Sequence, residues 1–250
     1  MFRLFSLALL ALTALSVHAE ESAEMIVKKM VARDKELVQH RSIYKYTVEM
    51  TREKLDDDGK VLSSSHEEMQ MQGDKSPDYD TRKNKDVEGN LKQAAREEPF
   101  NILHILSHYD FKLDGNENVG GTPCIKVRFT PKGNQPYSNR EEKVANELEG
   151  YLWISKADYS LVRNSGRLTK PVSIGWIFAT MKELEFLFQA RLLPNGELGP
   201  SQIQYRFLVQ IMFLKVHERH TRVMKDYKVS QENRYRAADI RSVASFFQIA

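Results

Sequence analysis

The stretch Glu149-Gly150-Tyr151-Leu152-Trp153-Ile154-Ser155-Lys156-Ala157-Asp158-Tyr159-Ser160-Leu161-Val162-Arg163-Asn164-Ser165-Gly166-Arg167-Leu168 decides the fold. Tyr151 to Ile154 is aromatic and branched, as a half-buried strand should be. A polar turn containing Asp158 follows, and Leu161-Val162-Arg163 restarts a strand. The segment therefore predicts an antiparallel hairpin.

The same two-residue period extends on both sides. Upstream, Ile125, Val127 and Phe129 share one parity, while Cys124, Lys126 and Arg128 share the other. Tyr109–Leu113 pairs with that strand across 116–121. Near the start of the sheet region, Tyr44, Tyr46, Val48 and Met50 alternate with Lys45, Thr47 and Glu49. Asp58-Gly59 marks a turn, and Val61 to Gln72 returns as a polar strand suited to a sheet edge.

Downstream, Trp176, Phe178, Leu184, Phe186 and Phe188 lie on one parity. Pro194-Asn195-Gly196 turns the chain. Gln202 to Val216 reads as one strand with Tyr205, Phe207, Val209, Ile211 and Phe213 on one side, and Arg219–Val229 as another. Ahead of all this, Ser22 to Arg41 has helical spacing, with Met25, Ile26, Met30, Val31, Leu37 and Val38 at steps of three and four. Ser22 can cap it. No βαβ alternation appears. The pattern predicts an α+β fold: one strongly curved antiparallel sheet of about eight to eleven strands, with helices on one side.

The pattern of Gly, apolar, Trp, Ile, polar turn and Leu-Val-Arg in Gly150–Leu168 resembles the hairpin of the periplasmic outer-membrane lipoprotein-sorting carriers (LolA/LolB type) and their superfamily of lipid-binding half-barrels. Those proteins usually carry Asp after the Trp-Ile pair, where this chain has Ser155. The resemblance implies an open half-barrel whose helices cover the concave face, spanning 20–250 as one domain. It also implies an Arg that holds a helical lid closed. Arg52 is the candidate, beside its reading as an ordinary surface Arg.

Compartment comes from the first residues. Arg3 precedes an apolar run from Leu4 to Val17, and Val17-His18-Ala19 offers small residues before Glu20. This predicts a signal peptide over 1–19, cleaved after Ala19, and export to the periplasm. The run is shorter than the roughly 20 residues of a membrane span. A single cysteine, Cys124, excludes an internal disulfide framework. It reads as an inert thiol or as one half of an intermolecular bond.

Catalytic patterns are missing from the sequence. It contains no G-x-S-x-G, no phosphate-cradling glycine loop and no H-E-x-x-H. His217-Glu218-Arg219-His220 is one residue short of the zinc motif, and on a strand its two histidines face opposite sides. His104 and His108 share a helix face without a nearby carboxylate. The segment 74–98 has 13 charged residues of both signs. It reads as a solvated loop, either a flap beside a binding mouth or a plain surface excursion. Lys215 to Arg241 carries eight basic residues against four acidic ones, suited to a solvated strand face or to lipid headgroups.

What remains is an apolar surplus on the strands. Tyr44, Tyr46, Met50, Trp153, Trp176, Phe178, Phe186, Phe207 and Phe213 are the groove candidates. These residues and the resemblance together lead to a carrier or binder of lipid or lipoprotein acyl chains, not an enzyme. It would need no cofactor or metal, make transient membrane contact, and meet membrane-bound donor or acceptor proteins, with no nucleic-acid partner. The alternative is an envelope-stress or regulatory sensor on the same fold that binds a partner protein.

Overall fold

The computed structural model describes residues 21–73, 106–175 and 179–230. Among the described residues are two α-helices and ten strands. Helix α1 is Ala23–Arg41 and α2 is Arg140–Ala145. The strands are β1 (Tyr44–Leu55), β2 (Val61–Gln72), β3 (Tyr109–Val119), β4 (Thr122–Pro131) and β5 (Leu148–Ser155). They continue with β6 (Leu161–Leu168), β7 (Val172–Gly175), β8 (Ala179–Leu192), β9 (Leu198–Ile211) and β10 (Leu214–Val229).

All strands join one antiparallel sheet in the order β2-β1-β10-β9-β8-β6-β5-β4-β3. β7 also pairs with β8, continuing the line of β6 after the break at Lys170-Pro171. β2 and β3 are consecutive in the described chain yet form the two opposite edges, so the sheet is open. The N-terminal hairpin reaches its place by pairing β1 with the last strand, β10, over Tyr44↔Val229 to Lys54↔Glu218.

Local chemistry explains the elements. The Ser22 hydroxyl accepts a hydrogen bond from the Met25 amide at 3.3 Å and caps α1. Asp56 accepts from the amides of Asp58 and Lys60, and Gly59 takes φ +80°, which closes the β1–β2 turn. In the β5–β6 hairpin, Gly150 lies opposite Gly166. The Phe129 ring occupies the space that a side chain at 150 would need, and the Phe186 ring does the same at 166. These glycines make room for aromatic packing.

Three features differ from the sequence reading. The run 202–216 is not one strand: Ile211 pairs with Leu214, and Met212-Phe213 form the turn between β9 and β10. The polar stretch 132–146 contains α2, capped by the Asn139 side chain on the Glu142 amide at 2.8 Å, while Glu142 accepts from the Ser138 amide. The buried stripe of α1 is Ala23, Ile26, Val27, Met30 and Leu37, and Met25 and Val38 face solvent. The signal segment 1–19, the loop 74–98 and the segment 234–247 lie outside the described residues.

Candidate functional site

α1 lays its stripe on one face of the sheet. Ile26, Val27 and Met30 join a core with Val127 and Phe129 of β4, Leu148, Leu152 and Ile154 of β5, and Tyr205, Phe207 and Val209 of β9. Each such side chain contributes about 1.5–3 kcal/mol by leaving water.

The polar side of α1 is tied to two turns at one end of the sheet. Arg33 reaches Asp158 of the β5–β6 turn at 3.5 Å and Glu197 of the β8–β9 turn at 3.3 Å. His40 Nδ1 is 2.9 Å from the same Glu197 carboxylate. Nearer the start of the helix, Lys29 pairs with Glu21 at 2.6 Å, and the Tyr159 hydroxyl donates to Glu21 at 3.0 Å.

These contacts shift the acids. Partial burial pushes the Glu197 carboxyl up, but His40, Asn195 and Arg33 outweigh it, and the net pKa falls. Asp158 follows the same logic: burial raises it, and Ser160, Ser155 and Arg33 bring it below its usual value. Glu21 is lowered chiefly by its hydrogen bond from Lys29. The Lys29–Glu21 pair is solvent-exposed and screened, whereas Arg33 and Glu197 are partly buried. α1 is thus held by a buried apolar stripe and a set of polar ties, of which Arg33–Glu197 is partly buried.

The face continues past the helix-packed core onto β10, β1 and β2. A polar band comes first. His220 is buried, with Nδ1 3.0 Å from the Tyr205 hydroxyl and Nε2 2.7 Å from Glu218. In the neutral imidazole, Nε2–H donates to Glu218 and Nδ1 accepts from Tyr205. The Tyr205 hydroxyl is pushed up by burial, partly offset by the charges of Arg222 and Arg52. Arg52 is aligned with His220 across the β1–β10 ladder. Its guanidinium lies 3.1 Å from Met50 Sδ and 3.7 Å from Glu67.

Alongside the band lies an apolar strip, joined to the helix-packed core by Ile203, which packs against both. Val48 and Met224 are buried there with Tyr44 and Tyr227, and half-buried Tyr46, Met69, Met71 and Ile203 pack against them. Tyr46 stacks on Tyr227 at 4.7 Å between ring centroids. Met69 and Met71 stand on β2, at the open edge.

The sequence candidates divide on this frame. Phe207 and Phe186 belong to the core under α1, and Tyr44, Tyr46 and Met50 stand on β1. Trp153 faces the other way, packing with Cys124, Val162 and Leu198 while its indole N–H donates to Glu117 at 2.9 Å. Parity on β5 requires this: Leu152 and Ile154 take the helix-facing side. Phe213 lines nothing. It is 96% exposed in the β9–β10 turn. Trp176 and Phe178 lie outside the described residues. His217 and His220 pair with Leu208 and Tyr205, on opposite faces of β10 as the strand period requires. Sequence reasoning missed the Tyr205–His220–Glu218 chain. His220 and Glu218 share a face by their spacing of two, but Tyr205 reaches them only through the β9–β10 register.

No family model matches the chain, and no curated protein matches it. Among solved structures it is similar to a DUF1329 family protein from Desulfovibrio piger, with 12% identity, 85% of this chain and 95% of that chain covered, and a TM-score of 0.38. A putative outer membrane lipoprotein-sorting protein domain from Vibrio parahaemolyticus has 10% identity, 83% and 96% coverage and a TM-score of 0.35. A LolA superfamily protein from Nitrosomonas europaea has 12% identity, 85% and 95% coverage and a TM-score of 0.31. Among the described residues, no helix is long and apolar enough to cross a membrane.

Proposed function

We propose that this protein is an exported periplasmic carrier or binder of lipid or lipoprotein acyl chains, held in a groove between the helices and the concave face of the half-barrel. One observation carries the reading. The apolar face that α1 covers extends past that helix, by way of Ile203, to the half-buried Met69 and Met71 on β2. Methionine adapts its shape to irregular and variable apolar partners, and aliphatic ligands take apolar clefts with a few polar groups at one side. Burial of a chain contributes about 0.8 kcal/mol per methylene.

The test is displacement of a fluorescent fatty-acid probe. The double variant Met69→Asp with Met71→Asp is expected to lose uptake at least tenfold with its denaturation midpoint nearly unchanged, because both side chains are already half-exposed. Unchanged uptake in that variant, or no uptake by the wild type, overturns the proposal.

A second reading rests on β2. Among the described residues, its 12 residues pair with β1 along one side only and leave a long, mostly exposed edge without Lys or Pro. Such an edge accepts a further strand, which fits a sensor that binds a partner protein. A partner that binds through β2 would be blocked by Gln70→Pro, whereas acyl-chain uptake would persist.

A further inference from the structure

The polar band on the sheet face is a series of matched donors and acceptors. Arg222 donates to the Tyr205 hydroxyl, Tyr205 to His220 Nδ1, and His220 Nε2–H to Glu218. Tyr205 and His220 are buried, and burial demands such matching. Arg52 stands beside this series, aligned with His220, and is matched differently. Its side chain is 24% exposed. Among the described residues, its hydrogen bond goes to Met50 Sδ at 3.1 Å, and a thioether is a weak acceptor. Its ion pair with Glu67, at 3.7 Å, is longer than a hydrogen bond. Both partners stand on the sheet, on β1 and β2, and not on α1. A guanidinium carries a planar fork of N–H donors, and most of the fork on Arg52 is left to be answered by something else.

The register places that fork at the end of the apolar strip. Arg52, Met50 and Val48 share one face of β1. Val48 lies opposite Met69 on β2 and Met224 on β10, and Met50 lies opposite Glu67 and Arg222. The strip therefore runs along β1 from Tyr44 through Val48 to Met50 and ends at Arg52, about 13 Å beyond Val48. The bond to Met50 Sδ keeps the guanidinium against the strip. An acyl chain lying on the strip brings its polar end to the fork.

Carboxylate and phosphate groups offer paired, charged oxygens that fit such a fork, whereas an alcohol offers neither the charge nor the second oxygen. We propose that Arg52 receives the headgroup of the bound molecule, and that the ligand is an anionic amphiphile, an acyl chain ending in a carboxylate or phosphate. This rests on the carrier reading and names the ligand class of that same site.

The experiment is displacement of a neutral dye, phenylnaphthylamine, from the purified protein by dodecanoate, dodecyl phosphate, dodecanol or inorganic phosphate. In the wild type, dodecanoate and dodecyl phosphate are expected to displace the dye at concentrations at least tenfold below dodecanol. Excess inorganic phosphate is expected to leave that preference in place. Arg52→Met is expected to bring dodecanoate level with dodecanol while dodecanol itself is unchanged, a split that a merely structural role does not produce. Arg52→Lys keeps the charge and loses the fork, and its preference is expected to fall between the two. Arg219→Met, on the opposite face of β10, is expected to behave as wild type. Three results overturn the proposal and leave the carrier reading standing: equal displacement by dodecanol and dodecanoate in the wild type, an unchanged preference in Arg52→Met, or loss of the preference in excess inorganic phosphate, which marks a site for the free anion. A wild type that never binds the dye, or releases it to no long-chain competitor, removes the carrier reading and this proposal with it.

Discussion

Replacing Gly150 by Ala tests the packing of the hairpin on which the sheet is organised. A Cβ at this position would stand 2.7 Å from both Gly166 Cα and the Phe129 ring, and closer still to the Ser165 carbonyl oxygen. Ordinary contact begins near 3.4 Å. Strands β5 and β6 would therefore have to separate by more than about half an ångström at a point where their ladder is paired. The ring could rotate away, but the carbonyl is part of the backbone and Phe129 is fully buried. Overpacking of this kind costs about 1–3 kcal/mol, and a backbone obstacle places it at the upper end. For a chain of this size, about 3 kcal/mol lowers Tm by roughly 6–12 °C. The control is Gly133→Ala, where nothing lies within 4 Å of the added atom and the change is expected to be within about 0.5 kcal/mol. Guanidinium denaturation of both variants is the assay. If Gly150→Ala falls within 1 kcal/mol of wild type at an unchanged slope, the close approach of β5 to β6 and the Phe129 ring do not fix this hairpin.

Three further outcomes follow from particular contacts. Tyr109→Phe removes the hydroxyl that donates to the Ala145 carbonyl at 2.6 Å and leaves that buried acceptor unpaired, so chemical denaturation is expected to show a loss of about 1–3 kcal/mol. Arg33→Met removes the ties to Asp158 and Glu197 but not the buried stripe of α1; hydrogen exchange is expected to speed up in α1 while the global midpoint changes by less than about 1 kcal/mol, and an unchanged exchange rate would refute the polar tie. Acid should loosen the same helix: Glu197 and Asp158 have folded-state pKa values below their ordinary 4.5 and 3.8, so their contribution is present above those values and is lost as pH falls through the depressed ones. Circular dichroism titration from pH 6 to 2 is expected to show less acid sensitivity in Arg33→Met than in wild type.

How far the sequence reaches depends on whether a feature is local. The helix cap at Ser22, the turns at Gly59 and Gly196, the edge position of β2 and the hairpin at Gly150–Leu168 all rest on neighbours in sequence, and all appear as read. The pairing of β1 with β10 does not, because it joins residues about 170 positions apart that no short pattern links. The turn at Met212-Phe213 was hidden by its own composition, since two large apolar residues extend a strand pattern where Asn-Gly would have broken it. α2 carried a readable signal, Asn139 three residues before Glu142, within a stretch otherwise polar enough to pass for a linker. Trp153 shows the remaining difficulty. Its residue type marks it as apolar surplus, but only the parity of Leu152 and Ile154 against α1 reveals that it serves the other face.

Whether the face shared by α1 and the methionine strip holds an acyl chain is read by native mass spectrometry of the protein purified from its own source. An adduct near one-to-one is expected, released by organic extraction as a lipid or acylated species and missing from the Met69→Asp, Met71→Asp variant. A wild-type protein that is consistently free of any adduct and takes up no added fatty acid would contradict the carrier reading.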